Sequence, residues 1–218
     1  MSSPQGLLDP AEAVIVFIDH QPMTLFGVHS HDPQTVVNNT VALAETAELF
    51  GVPVVYTTVA REGVGGDLIP GLKEVFPDQE VIDRSWINAW EDPRLKEAVL
   101  ATGRRQIVIA GLWTEMCVAF PVISALEEGR EVFVVADASG GASGESHAMA
   151  MDRMVAKGAV PVTTQVVLGE FQRDWARQDS YQGARAIARK YFGNWGQVLD
   201  YYAQTTATRD GGTDTDDS

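Results

Sequence analysis

Short apolar runs alternate with longer segments of helical periodicity along most of the chain. Strands are predicted at 13–18, 53–59, 80–83, 106–110, 131–136 and 159–162, and helices at 36–50, 71–76, 92–101, 115–128, 145–157, 169–177 and 181–205. The longer strands are apolar on both faces, which is typical of strands covered by helices on both sides. The alternation predicts a doubly wound α/β fold with a mainly parallel six-stranded sheet, right-handed crossovers and helices on both faces.

The pattern predicts a single domain over residues 1–205, because it contains no internal repeat and no long linker. Residues 206–218 are acidic and rich in Gly and Thr, and they are expected to form a disordered, solubilising tail. The segment 175–202 is rich in aromatic residues, which favours a subunit interface or packing of a terminal helix on its own domain.

Composition narrows the class of protein. A hydrophobic content of 45% with 21% charged residues is that of a globular protein. The formal net charge of −14 argues against a nucleic-acid partner, because phosphates would repel the chain. No run approaches the roughly 20 apolar residues of a membrane span, and no secretory signal is recognised at the N-terminus. With one cysteine and no disulfide, we expect a cytoplasmic protein without a membrane partner.

That single cysteine, Cys117, follows the strand at 106–110 and opens a segment of helical spacing. A thiol in the first turn of a helix lies in the field of unpaired amides, which stabilises the thiolate and makes it a nucleophile. The alternative is structural, because free cysteine often behaves as a small buried hydrophobe.

Two further polar residues are expected near the thiol. Asp19 ends the first strand, and doubly wound sheets bind ligands at the carboxyl ends of strands where the connection direction reverses, commonly between the first and fourth strands. Burial on one side raises the pKa of such a carboxyl and makes it a usable base. Arg84 follows the edge strand in a loop rich in tryptophan and supplies a permanent cation. The alternatives are a turn cap for Asp19 and a surface ion pair for Arg84.

Metal and phosphate sites are not indicated. The side chains of the His29-Ser30-His31 pair are expected to diverge on an extended loop, so no metal is predicted. The glycine-rich segment 63–66 lacks the lysine and the strand-loop-helix order of a phosphate-binding loop, and is interpreted as a lid or turn. No cofactor is therefore expected.

Taken together, these segments resemble the isochorismatase-like cysteine hydrolases, a superfamily with a Rossmann-like three-layer fold. The most specific segment is Gly111-Leu112-Trp113-Thr114-Glu115-Met116-Cys117-Val118, which resembles the superfamily's nucleophile motif, and the resemblance extends over about residues 10 to 190. Arg84 stands where most members have a catalytic lysine. With this arginine, and in the segments 88–90, 117–121 and 134–140, the sequence resembles the YcaC-related branch of the superfamily. Members of that branch form octamers.

The resemblance implies a catalytic triad of Asp19, Arg84 and Cys117, together with a cis peptide bond between Trp113 and Thr114. It further implies an oxyanion hole formed by the backbone N–H groups of Thr114 and Cys117. The substrate pocket is predicted to be lined by Gln21, Phe26, Trp86, Asn88, Trp90 and Trp113.

The leading functional hypothesis is a cysteine-dependent hydrolase that cleaves a small amide-type substrate through a thioester, in a homo-oligomer that is expected to be an octamer. The alternative is a non-catalytic small-molecule-binding or assembly module on the same fold. Thiol redox sensing is less favoured, because the chain has no second cysteine to resolve a sulfenic acid. A nucleotide-binding oxidoreductase is also less favoured, because no G-x-G-x-x-G motif follows the first strand.

Overall fold

The computed structural model of the chain describes residues 6–210. Its strands are β1 (Ala13–Ile18), β2 (Val54–Val59), β3 (Val81–Arg84), β4 (Gln106–Gly111), β5 (Glu131–Val135) and β6 (Val160–Val162). Its helices are α1 (Pro22–Phe26), α2 (Pro33–Phe50), α3 (Pro70–Val75), α4 (Pro93–Ala101), α5 (Ala119–Glu127), α6 (Gly144–Ala156), α7 (Thr164–Gln172), α8 (Gln178–Tyr191) and α9 (Asn194–Asp210).

All six strands are parallel and lie in the order β3-β2-β1-β4-β5-β6. The predicted doubly wound α/β fold is therefore confirmed, and β3 is an edge strand as expected. The chain moves outward from β1 to β3 and then returns to add β4 on the other side of β1, so the connection direction reverses between β1 and β4. This is the position at which such sheets bind ligands.

Both faces of the sheet are covered by helices because successive strand side chains point to opposite faces. In β1, Ala13, Ile15 and Phe17 pack with α2, α3 and α7. Val14, Val16 and Ile18 pack with α4, α5 and α6 on the other face. Helix α8 adds an outer layer through Ala184 and Ile187, which contact α2 and α7.

The helices differ from the predictions in several places: α1 was not predicted, and α2 begins at Pro33 rather than at 36. A π-helical turn, Thr114–Val118, precedes α5, so Cys117 lies before the regular helix rather than opening it. Helix α7 begins at Thr164, not at 169, because Asp137 accepts hydrogen bonds from the Thr164 N–H (2.8 Å) and hydroxyl (2.9 Å). The predicted helix 181–205 is two helices, separated at Gly193 with φ 48°.

The final helix runs to Asp210, so the first five residues of the predicted tail 206–218 continue α9. Residues 211–218, which hold the rest of the predicted acidic tail, lie outside the described residues, as do residues 1–5. Within 6–210, no helix combines the length and the apolar character that crossing a bilayer requires.

Candidate active site

The three residues of the predicted triad lie at the carboxyl ends of three strands of the same sheet. Asp19 directly follows β1, whose last residue Ile18 is paired with Gly111 of β4. Arg84 is the last residue of β3, and Cys117 lies in the turn that follows β4. The parallel register therefore places all three at one edge of the sheet, beside the point where the connection direction reverses.

Asp19 is held in the left-handed backbone region, with φ 55°. Asp tolerates this region better than most residues, and hydrogen bonds fix it here. The Asp19 N–H donates to the Thr57 carbonyl (2.9 Å), and the Asp19 carbonyl accepts the Thr24 hydroxyl (2.5 Å). The abrupt change of backbone direction after β1 thus turns the carboxyl towards its neighbours.

A fully buried ion pair joins Asp19 and Arg84. Arg84 Nη2 donates to Asp19 Oδ2 at 2.5 Å, and both side chains are inaccessible to solvent. Arg84 Nη1 also donates to the Trp86 carbonyl, which fixes the guanidinium. Two buried atoms of the pair, Asp19 Oδ1 and Arg84 Nε, have no hydrogen-bond partner among residues 6–210. One acceptor and one donor therefore remain available for chemistry.

The thiol of Cys117 lies close enough to Asp19 for each group to shift the pKa of the other. Burial raises the pKa of Asp19 to about 6, although the Arg84 guanidinium and the thiol both lower it. Burial and then the Asp19 charge raise the pKa of Cys117 to about 11, against the opposing effect of Arg84. At neutral pH the carboxyl is mostly ionised and the thiol is protonated.

This result corrects the expectation that helix amides stabilise a thiolate. Cys117 lies in the π-helical turn before α5, and burial with a nearby carboxylate outweighs the amide field. The raised carboxyl pKa of Asp19, in contrast, agrees with the prediction. A thiol that stays protonated needs a base during attack, and Asp19 is the neighbouring base.

One of the two N–H groups of the predicted oxyanion hole already has a backbone partner. The Thr114 N–H donates to the Gly140 carbonyl at 2.9 Å, because Leu112 and Gly140 extend the β4–β5 edge as a parallel bridge. That amide is therefore committed to the backbone ladder. The cis peptide bond lies between Leu112 and Trp113, one bond earlier than the resemblance implied.

The six residues predicted to line the substrate pocket divide into two groups. Gln21, Phe26 and Trp113 lie around α1, and Trp86, Asn88 and Trp90 lie around the 3₁₀ turn that precedes α4.

Gln21 is fully buried and acts as a clamp in the α1 group. Its amide Nε2 donates to the Val59 carbonyl (3.1 Å) and the Gly66 carbonyl (2.6 Å), and its Oε1 accepts the Val59 N–H (2.9 Å). All of its polar side-chain atoms thus bind Val59, the last residue of β2, and Gly66 rather than facing a ligand. Phe26, on the same side, is 78% exposed.

In the other group, Trp86 and Trp90 line a cleft, whereas Asn88 holds the turn between them. Asn88 donates to Glu91 (2.9 Å) and to Ser124 (3.0 Å), which ties the turn to α5. Half-exposed Trp86 and buried Trp90 line a cleft of about 620 Å³. The complete lining is Trp86, Trp90, Glu91, Pro93, Lys96, Ser124, Glu127 and Glu128, without any residue of the triad.

Sequence reasoning missed two residues that hold the nucleophile turn. The Trp113 indole N–H donates to the Thr24 carbonyl (2.8 Å), and the Thr24 hydroxyl donates to the Asp19 carbonyl. His147 Nδ1 lies 2.8 Å from the Thr114 hydroxyl. No sequence signal identifies either, because 89 and 33 positions separate the partners. Within 6–210, no group of three or more His, Cys, Asp and Glu side chains is arranged to hold a metal ion.

An all-parallel sheet with a buried acid, a buried cation and a thiol at its reversal point defines a class of hydrolase. The chain belongs to the isochorismatase-domain family, whose model matches residues 13–166. It is an isochorismatase-family hydrolase.

Particular relatives lie in the predicted branch. The protein named Probable hydrolase YcaC of Escherichia coli strain K12 is 38% identical over 207 residues, covering 94% of this chain and 99% of the relative. Its crystal structure, an octameric hydrolase of unknown specificity, superimposes with a TM-score of 0.88 over 94% of this chain and 100% of that one. YcaC from Pseudomonas aeruginosa, with hexane-2,5-diol and covalent acrylamide, is 39% identical with a TM-score of 0.87, covering 93% and 100%.

Proposed function

We propose that this hydrolase cleaves a small amide-type substrate through a covalent thioester on Cys117. The observation that carries the proposal is that buried Asp19 interacts with the Cys117 thiol, which lowers the pKa of the carboxyl, while Arg84 holds Oδ2 at 2.5 Å. A covalent acrylamide in the P. aeruginosa relative supports a reactive nucleophile in that protein.

In the proposed reaction, Asp19 takes the Cys117 proton as sulfur attacks the substrate carbonyl. The C–S bond forms, and negative charge develops on the carbonyl oxygen. The amine then leaves with the proton that Asp19 returns. Water, deprotonated by Asp19, attacks the thioester and releases the acid, and the thiol regains its proton.

Arg84 has an electrostatic role in this reaction. Arginine stays protonated, so it does not carry protons as the lysine of most family members can. Its Nε–H has no hydrogen-bond partner among residues 6–210 and would donate to the developing charge, as would the Cys117 N–H. One donor of this kind is worth about 3 kcal/mol of barrier.

A non-catalytic binding module is the second candidate, and the raised pKa of Cys117 favours it. A thiol with a pKa of about 11 is almost fully protonated at neutral pH. The two candidates differ in whether sulfur forms a bond with the ligand.

The test is intact-protein mass spectrometry after acid quenching, with the protein exposed to pooled small amides and esters. Because the chain has one cysteine, an acyl adduct on sulfur maps to Cys117. We expect an adduct and ammonia release that Cys117→Ser abolishes, and a much slower adduct with Asp19→Asn. Ligand binding without an adduct, unchanged in Cys117→Ser, would establish the binding module instead.

We also propose that the chain forms a homo-oligomer, with a small molecule rather than nucleic acid or a membrane as its ligand. The E. coli relative is an octamer. Val198, Tyr201 and Tyr202 of α9 are 61–70% exposed and share one helix face. The net charge of −14 opposes binding to nucleic acid.

A further inference from the structure

The turn that carries Cys117 is fastened at its first residue by a histidine. Thr114 begins the turn and is fully buried. Its N–H is committed to the Gly140 carbonyl, and its hydroxyl lies 2.8 Å from His147 Nδ1 in α6. The side-chain anchor of the nucleophile turn is therefore a titratable ring.

A second histidine packs against that ring. The ring of His31 meets His147 edge-on, with centroids 4.6 Å apart. His31 Nδ1 lies 2.8 Å from the Ser30 hydroxyl, which also accepts the Gly141 N–H at 2.9 Å. These contacts join the loop after α1, the loop after β5 and the N-terminal half of α6 behind the turn.

The charged groups that face the pair are Glu115 and Asp137. Glu115 belongs to the turn itself, and its Oε1 accepts the Ala142 N–H at 3.0 Å. Burial and the charge of His31 lower the pKa of His147, whereas Glu115 raises it. Asp137, at the end of β5, interacts with the charge of His31.

We propose that His147 is a positioning residue for the Cys117 nucleophile, and that only its neutral ring holds the turn in the reactive arrangement. The proposal rests on the proposed function of Cys117. A neutral ring with its proton on Nε2 accepts the Thr114 hydroxyl on Nδ1. A protonated ring donates from Nδ1, so the Thr114 hydroxyl becomes an acceptor.

Protonation of His147 matters for the turn because Thr114 is buried. Its hydroxyl hydrogen, displaced from His147, must find another acceptor within the fold without help from solvent, as buried threonines do by bonding to backbone carbonyls. A threonine hydroxyl that bonds to backbone competes with the hydrogen bonds of the turn. The position of Cys117 therefore depends on the protonation of a group that makes no contact with the substrate.

The test is the alkylation of Cys117 by iodoacetamide, compared between the unaltered protein and His147→Asn. Asn presents an acceptor near the position of Nδ1 but does not titrate. Because Asp19 and Cys117 ionise in both proteins, their effect on the rate cancels when the rate of the unaltered protein is divided by that of His147→Asn. We expect a constant ratio at and above neutral pH and a fall of about threefold or more in the unaltered protein's relative rate at acid pH, below the usual range of histidine because the pKa of His147 is lowered.

If His147 had a purely structural role, the alkylation rates of the unaltered protein and of His147→Asn would differ by the same factor at every pH. A ratio of the two rates that does not change with pH therefore overturns the proposal. His31→Asn supplies an independent check. Removing the His31 charge raises the pKa of His147, so the fall should move to higher pH, and an unmoved midpoint counts against the arrangement. Because alkylation needs no turnover, this test can fail or succeed independently of the acyl-adduct experiment.

Discussion

At the scale of single residues, burial decides the chemistry of the site. Asp19 and Arg84 are both shielded from water, and the Arg84 guanidinium offsets part of the rise that burial causes in the pKa of Asp19. The sequence predicted the raised pKa of the carboxyl from its place at a strand end. It did not predict the raised pKa of the thiol, because that shift depends on how deeply Cys117 is buried and how close the Asp19 charge lies.

We predict slow alkylation of Cys117 by iodoacetamide. Raising the thiol pKa from 9.0 to about 11 lowers the thiolate fraction at neutral pH by about a hundredfold. The greater nucleophilicity of the more basic sulfur recovers about tenfold, so the rate should be about tenfold below that of a small free thiol. Asp19→Asn removes the charge that raises this pKa and should accelerate labelling. A rate equal to that of the free thiol contradicts the prediction.

Arg84 should set the pH at which acylation begins. The carboxylate of Asp19 must be ionised to accept a proton, so the acylation rate should rise with pH through about 6. Arg84 lowers this pKa, and Arg84→Gln should therefore move the rise to higher pH by about one unit or more. The measurement is the initial rate of adduct formation against pH. Arg94→Gln, on a mostly exposed arginine, is the matched control and should leave the midpoint unchanged.

At the scale of elements, a short helix braces the nucleophile turn together with the long helix α6. Helix α1 is only five residues long, yet its Thr24 binds both Asp19 and Trp113. Gly27, which ends α1, lies against the Trp113 indole, and a Cβ at this position would be 2.2 Å from Cζ2. No local pattern in the sequence marks this close approach.

Gly27→Ala should therefore destabilise the protein and disturb the turn. Overpacking of this kind costs about 1–3 kcal/mol of unfolding free energy, and displacement of Trp113 should also slow acylation of Cys117. Gly169→Ala is the matched control, because a Cβ there meets no atom within 4 Å in the middle of α7. It should raise the unfolding free energy by about 0.5–1 kcal/mol. Urea unfolding measures both, and equal effects of the two substitutions would refute the argument.

At the scale of the whole molecule, some C-terminal aromatic residues pack on their own domain and others are exposed, where they could form a subunit interface. Phe192 stacks on Trp195 at 6.1 Å, and Trp195 meets Trp175 at 5.8 Å, so part of the cluster packs on its own domain. Tyr201 and Tyr202 remain exposed on α9. This exposed face supports the proposed homo-oligomer.

Val198→Asp should weaken assembly, because it places a charge in the centre of that face. We expect light scattering after size exclusion to show a smaller species with an unchanged circular dichroism spectrum. Val64→Asp, on a loop valine that is 79% exposed, is the matched control and should leave the assembly intact. An unchanged mass for Val198→Asp would mean that α9 is not at the interface.

The sequence by itself determined the alternation of strands and helices, and with it the parallel sheet and the edge at which Asp19, Arg84 and Cys117 lie. These features follow from local periodicity and strand order, which short segments of sequence carry. Only the tertiary structure decided the state of the site. The clamp made by Gln21, the committed N–H of Thr114, the anchor at His147 and the protonated thiol of Cys117 all arise from contacts between distant segments. Hydrogen-bond commitment and desolvation depend on three-dimensional neighbours, and no spacing along the chain encodes them.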